Sequence, residues 1–189
     1  KNIKFTTLAS DDTIEKATDA LTAHGITVHH AKNSTAAKKL VQTLIPLGAE
    51  VMTATSTTLN QLGLTDEIND SGKFNSIKSQ LSKLNREKDG LTMQKLGTGP
   101  DYIIGSVHAV TVDGKVIVAS GSGSQLPAYT YGASHVIWVV STKKIVKNLE
   151  EGLERIYNHV LPQEDKRIKS VYGPDASSNV NKLFILNNE

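Results

Sequence analysis

The stretch DYIIGSVHAVTVDGKVIVASGSGSQLPAYTYGASHVIWVV, Asp101 to Val140, decides the fold. It opens on an apolar strand. Asp113-Gly114 then falls between alternating apolar residues, the short-range signature of a hairpin. VIVAS is the returning strand. A loop of alternating Ser and Gly follows, then a short helix near residues 126–132, then the strand HVIWVV. A loop that leads from strand to helix lies at a strand's carboxyl end, where open α/β sheets bind ligands.

Working outward, the same alternation continues. Asp12 and Glu15 have capping-box spacing, and Ile14, Ala17 and Leu21 follow at helical intervals up to Gly25. ITVHHA reads as a short strand. Asn33 or Ser34 opens a second helix with Ala37, Leu40, Val41 and Leu44 on one face. AEVMTA is the next strand, and TSTTLNQLGL is a hydroxyl-rich loop entering a short helix. Phe74, Ile77, Leu81 and Leu84 form one helical stripe in the middle of the chain. Asn148 and Glu151 again have capping-box spacing, and Leu149, Leu153, Ile156 and Val160 line the helix they open. A further helix is expected from Gln163, and NKLFILN is a last strand. These elements predict an α/β fold: a mainly parallel sheet with helices on both faces and an inserted antiparallel hairpin. A small helical lobe is expected at about residues 64–95, within a single domain spanning 1–189.

The 189 residues are 38% hydrophobic and 21% charged, enough apolar matter for a core. A net charge of +2, with no dense Lys/Arg run, gives no basis for a nucleic-acid or acidic-membrane partner. There is no cysteine, hence no disulfide, thiol nucleophile or thiolate ligand. No apolar run approaches membrane-spanning length. The opening KNIKFTTLAS lacks the apolar core of a signal peptide and does not begin with Met. The expectation is a cytoplasmic protein read from an internal residue, with an N-terminal segment missing.

Two loops are the candidates for ligand binding. In the first, Thr55, Ser56 and Thr57 supply hydroxyls. In the second, Ser120, Gly121, Ser122, Gly123, Ser124 and Gln125 supply hydroxyls, an amide and backbone that a ligand can approach closely. The same residues also serve as helix caps and turns without any ligand. Neither loop is a nucleotide fingerprint: SGSGSQ lacks the Walker lysine, and position 126 is Leu where a dinucleotide loop needs its third Gly. His108, in GSVHAV, is the candidate general acid or base, against the alternative of a hydrogen-bonded, half-buried ring. His29 and His30, adjacent on the expected strand, face opposite ways, and no metal-ligand cluster is seen. Tyr129 lies behind the second loop, and Trp138 reads as core. Gly123→Val is expected to abolish ligand binding with the fold intact.

The block GPDYIIGSVHAVTVDGKVIVASGSGSQLPAYTYGASHVIWVVSTKKIVKNLEEGLERI strongly resembles the LUD domain, the family named for lactate utilisation proteins. VMTATSTTLNQLGL and YGPDASSNVNKLFILN are similar to its earlier strand–loop–helix and its C-terminal end. The resemblance implies a fold similar to the sugar-phosphate isomerase and CoA-transferase superfamily. It also implies an anionic or phosphate-bearing metabolite at the two loops. Iron–sulfur redox proteins are implied as partners, and a homodimer by analogy. Two other functions stay open on the resemblance: a non-catalytic subunit docking onto an iron–sulfur protein, and an isomerase or transferase. The second lacks the glutamate nucleophile and the acidic motif of those relatives.

Overall fold

Helix starts in this chain are set by short polar side chains that take an otherwise orphaned backbone N–H. Ser10 accepts from Thr13 N–H, Asn33 from Ala36 N–H, Ser56 from Leu59 N–H and Asn148 from Glu151 N–H. The computed structural model describes residues 3–189. The chain forms two compact units, one of Lys1–His29, Val107–Gly123 and Val140–Glu189, the other of His30–Ser106 and Ser124–Val139.

The second unit is built on a parallel sheet. Its strands are β1 (Glu50–Thr53), β2 (Asn75–Ser76), β3 (Tyr102–Gly105) and β6 (His135–Trp138), in the order β2-β1-β3-β6. Val51, Met52 and Thr53 stand opposite Tyr102, Ile103 and Ile104. Around it lie α2 (Ser34–Leu44), α3 (Thr57–Gln61), α4 (Leu64–Asp70), α5 (Ile77–Leu81) and α6 (Gly90–Thr98). Val41, Ile45, Val51, Leu59, Leu64, Ile68 and Ile104 form one buried cluster.

The first unit holds a mixed sheet of β4 (Ala109–Thr111), β5 (Val116–Ser120), β7 (Ile145–Val146) and β8 (Lys182–Leu186), in the order β7-β4-β5-β8. β5 runs antiparallel to both β4 and β8, and β4 runs parallel to β7. Its helices are α1 (Asp11–Ala23), α7 (Leu149–Arg155) and α8 (Leu161–Tyr172). Phe5, Ala109, Ile117, Ala119, Val146 and Ile156 form its core cluster. Among the described residues no helix is long and apolar enough to cross a membrane.

The α/β character, the parallel sheet and the Asp113-Gly114 hairpin match the sequence. The hairpin is not an insert in one sheet, however. Its strands pair with β7 and β8 in a sheet of their own, because all five residues of β5 find antiparallel partners in β8. Residues 26–31 do not form the expected strand, having no ladder partner. The stripe from Phe74 to Leu84 is not one helix either. Asn75 and Ser76 pair with β1, and Ser76 then caps α5 by accepting Ser79 N–H at 3.1 Å. At the other end, α7 and α8 run on through a π-helical turn, Ile156–Val160, without a break.

One polar network ties the second unit together. Asn69 Nδ2 donates to Thr53 Oγ1 at 3.1 Å, and its Oδ1 accepts from Ser76 Oγ at 2.8 Å. Ser79 Oγ donates to the Asn69 carbonyl at 2.6 Å. Thr53 and Ser76 are buried, and this one amide bridges their hydroxyls, while Ser76 Oγ also keeps its cap on Ser79 N–H. Asn69→Leu removes the partner of the Thr53 hydroxyl and the acceptor of the Ser76 O–H, and is expected to lower stability by about 1–3 kcal/mol, read as an earlier midpoint in urea.

Candidate functional site

The parallel sheet of the second unit has a topological switch point, since β2 and β3 lie on opposite sides of β1. The crevice outside the carboxyl ends of β1 and β3 is where such sheets take ligands. β1 ends at Thr53, and Ala54 N–H still donates to Ile104 O at 2.9 Å. Thr55 and Thr57 come next, both exposed, with half-buried Ser56 between them. Ser56 Oγ is committed to Leu59 N–H, and α3 has only five residues, so this loop offers hydroxyls rather than a helix dipole.

β3 ends at Gly105, where a side chain has no room. A Cβ there would overlap Tyr129 Oη and lie 3.0 Å from Ala54 Cβ. Tyr129 belongs to the π-helical turn Ala128–Gly132 and packs edge-on against Trp138, with ring centroids 5.5 Å apart. Its ring is 4% exposed. Ser106 N–H and Trp138 Nε1–H both face the phenol oxygen, yet neither closes a hydrogen bond of normal geometry. Tyr129 Oη and Trp138 Nε1 are thus buried without partners among the described residues. Burial pushes the phenol pKa well up, so Tyr129 stays a neutral O–H donor. Ser124 and Gln125 lead into this turn, and Gln125 O accepts Tyr129 N–H at 3.1 Å. The sequence placed Tyr129 behind the loop, but nothing in it disclosed the unfilled hydroxyl or the need for Gly105.

The Ser120–Gly123 half of the second loop belongs to the first unit and is fastened to β8. Ser120 Oγ accepts Gly123 N–H at 2.8 Å, and Asn181 Nδ2 donates to Gly121 O at 3.2 Å. Gly123 has φ +82°, and a Cβ there would meet Lys182 Cδ at 2.5 Å. Gly123→Val therefore strains the backbone and displaces the Lys182 side chain, so a loss of binding in that variant would carry a structural cost as well as a lost contact.

His108 also lies in the first unit, just before β4. Ala109 stands opposite Ile117, yet His108 N–H also donates to Ile117 O at 2.9 Å. Two residues facing one make a β-bulge. Beyond it, Ala119 N–H donates to the imidazole Nδ1 at 3.0 Å rather than to a carbonyl. The carbonyl of His108 instead accepts from Arg155 Nη1 at 2.9 Å, and Val107 O accepts from Lys144 Nζ at 2.9 Å. An Nδ1 that accepts leaves the neutral ring protonated at Nε2. Burial, then Lys144 and Arg155, pushes the His108 pKa down to about 4. The ring is thus a donor and a weak base near neutrality. Burial, then Arg155, lowers Lys144 to about 8, and burial lowers Arg155 to about 10.

These features define an α/β protein with a parallel sheet wound from a switch point and a separate mixed sheet. A solved structure of a DUF162 family protein from Deinococcus radiodurans is similar in fold. The TM-score is 0.57 at 12% identity, over 95% of this chain and 89% of that one. The model of the LUD domain matches residues 14–180, and the chain belongs to that family. Membership supports a role related to lactate utilisation in general terms. No curated protein matches the chain.

His108 gives a pH dependence of known sign. The unfolded ring takes its proton near its ordinary 6.5, the folded ring near 4. Stability is therefore whole above about pH 6.5 and falls as the pH drops toward 4, by at most about 3 kcal/mol. His108→Asn keeps an acceptor for Ala119 N–H and removes the titration. Its thermal midpoint is expected to stay near wild type at pH 7 and to fall less steeply on acidification. An equally steep fall would disprove the assignment.

Proposed function

We propose that this chain binds a small organic acid in the crevice at the carboxyl ends of β1 and β3. The observation that carries this reading is the pair of buried, unpartnered donors, Tyr129 Oη and Trp138 Nε1, beside Gly105. A buried hydroxyl or indole N–H left unpaired costs about 1–3 kcal/mol, a cost that a bound acceptor oxygen removes. Both groups are neutral donors, which suits a carboxylate or hydroxyl oxygen and not a cation. Thr55, Ser56 and Thr57 follow β1 at the same end of the sheet, and Ser124 and Gln125 open the turn that carries Tyr129. These residues supply further polar contacts. Ser120, Gly121, Ser122 and Gly123 set the course of the chain into Ser124.

The family supports the same class of ligand. Lactate and pyruvate are small 2-substituted acids, rich in acceptor oxygens and matched to a site of neutral donors. In this reading His108 contributes as an Nε2–H donor within its own unit. The absence of cysteine assigns any thiolate-bound redox centre to a partner protein. Docking onto such a protein, and isomerase or transferase chemistry, draw on no feature of the crevice.

The test is a thermal-shift and calorimetric panel of lactate, pyruvate, inorganic phosphate, a sugar phosphate and CoA. Tyr129→Phe keeps the ring and removes the hydroxyl. The ligand-free variant is expected to be as stable as wild type or slightly more so, since an unpaired buried group is gone. Its affinity for the small acid is expected to fall about 10- to 100-fold. Unchanged affinity for the same acid would overturn the reading.

A further inference from the structure

β8 is the outermost strand of the mixed sheet, and its only ladder partner among the described residues is β5. Backbone groups along an antiparallel strand point alternately to its two sides. In β5, Ile117 O and Ala119 N–H turn toward His108. Val116, Val118 and Ser120 therefore turn toward β8, and the residues opposite them, Leu186, Phe184 and Lys182, turn toward β5. That leaves Leu183 and Ile185 with their N–H and C=O groups directed away from the sheet. Neither has another backbone partner among the described residues.

Such an edge is a template for another strand, and folded proteins usually blunt it with a charge, a proline or a bulge. β8 carries none of these along its outward groups. Between Lys182 and Glu189 the chain reads LFILNN, with no charge and no Pro, and its register against β5 is unbroken. The side chains tell the same story as the backbone. Leu183 and Ile185 stand opposite Ala119 and Ile117 and so share their face of the sheet, the face of the unit's core cluster. Ile185 packs against that cluster, whereas Leu183 is 42% exposed. A core-side apolar residue is left uncovered at the rim.

We propose that β8 pairs antiparallel with β8 of a second copy of this chain, about a two-fold axis at Phe184. Three features select a second copy over a foreign strand. The outward groups lie at 183 and 185, symmetric about 184, so the edge is its own complement. Leu183 exchanges both its bonds with Ile185 of the second copy, and Ile185 with that copy's Leu183. The apolar faces also continue across the axis. Leu183 is covered by Ile185 of the second copy, and the two Phe184 residues meet as a non-hydrogen-bonded pair, the closer kind. The charges complement as well. Lys182 begins the strand and Glu189 follows its end, so antiparallel pairing sets the positive end of each copy beside the negative end of the other. The two four-stranded sheets join into one. The rival occupant of this edge is the chain's own segment 26–31, which lies in no sheet and begins near where Glu189 N–H donates to His24 O at 2.8 Å.

The chain has no cysteine, so one introduced thiol reports one contact. Sedimentation of the wild-type chain over a range of concentrations is expected to show a monomer–dimer equilibrium. Phe184→Cys is expected to give a disulfide-linked dimer on mild oxidation, because its Cα lies about 4.5 Å from its mate across the axis, within disulfide reach. Lys182→Cys, whose mate stands more than about 10 Å away along the paired strands, is expected to give none. Leu183→Pro removes an outward donor and no bond to β5, and is expected to weaken the dimer at least about tenfold while the monomer stays folded. If a variant fails to fold, amide exchange at Leu183 and Ile185 in the wild-type chain decides the matter, and it is expected to slow as concentration rises. A wild-type chain that stays monomeric overturns the proposal. Protection of those two amides at every concentration in that monomer assigns the edge to residues 26–31. A dimer that cross-links at 182 as readily as at 184, or that keeps its affinity in Leu183→Pro, uses another surface and overturns the proposal as well.

Discussion

The first unit turns on one substitution of hydrogen-bond acceptors. At the bulge, the imidazole of His108 takes the place that its own carbonyl would hold in the β4–β5 ladder, accepting Ala119 N–H through Nδ1. That exchange does three things at once. It keeps the antiparallel pairing satisfied past an irregularity. It fixes the tautomer of a half-buried ring. It also turns the displaced carbonyl outward as an acceptor for Arg155, anchoring the end of α7 to the start of β4.

The second unit rests on a different constraint, the absence of a side chain at Gly105. Parallel strands meet ligands and helices at their carboxyl ends, and the space there is set by the last residue of each strand. With only hydrogen at Gly105, the Tyr129 phenol reaches the end of β3 and stands against Trp138. The phenol oxygen is enclosed there and has no hydrogen-bond partner among the described residues. Unfilled donors in a native interior call for a physical reason, and the acid proposed above would provide one.

How much of this was legible depended on range. The caps at Asn33, Ser56 and Asn148 were readable because a cap is decided within three residues. The Asp113-Gly114 hairpin was readable for the same reason, with Gly114 at φ +83° in the turn. Residues 26–31 alternate like a strand but remain unpaired, and pairing is a long-range fact. The division of strands between two sheets was hidden because β5 chooses β8, a strand more than sixty residues later. At the candidate sites, Thr55 to Thr57 and Gln125 could be singled out from residue type and loop position. Lys144 and Arg155 could not, because only the fold brings their side chains to adjacent carbonyls. His108 could be singled out by residue type and position, while its tautomer is set by the bulge, which pairing across strands decides.

The edge-on pair at the end of the parallel sheet has an optical consequence. Trp138 is the chain's only tryptophan. Its indole N–H is enclosed and unbonded, with a phenol ring tilted against it at 81°. The tryptophan emission of the whole protein therefore originates at one place, beside the Tyr129 hydroxyl. A single lamp is set at the end of the parallel sheet, so any change in the surroundings of that pair can be followed in the native chain without a label.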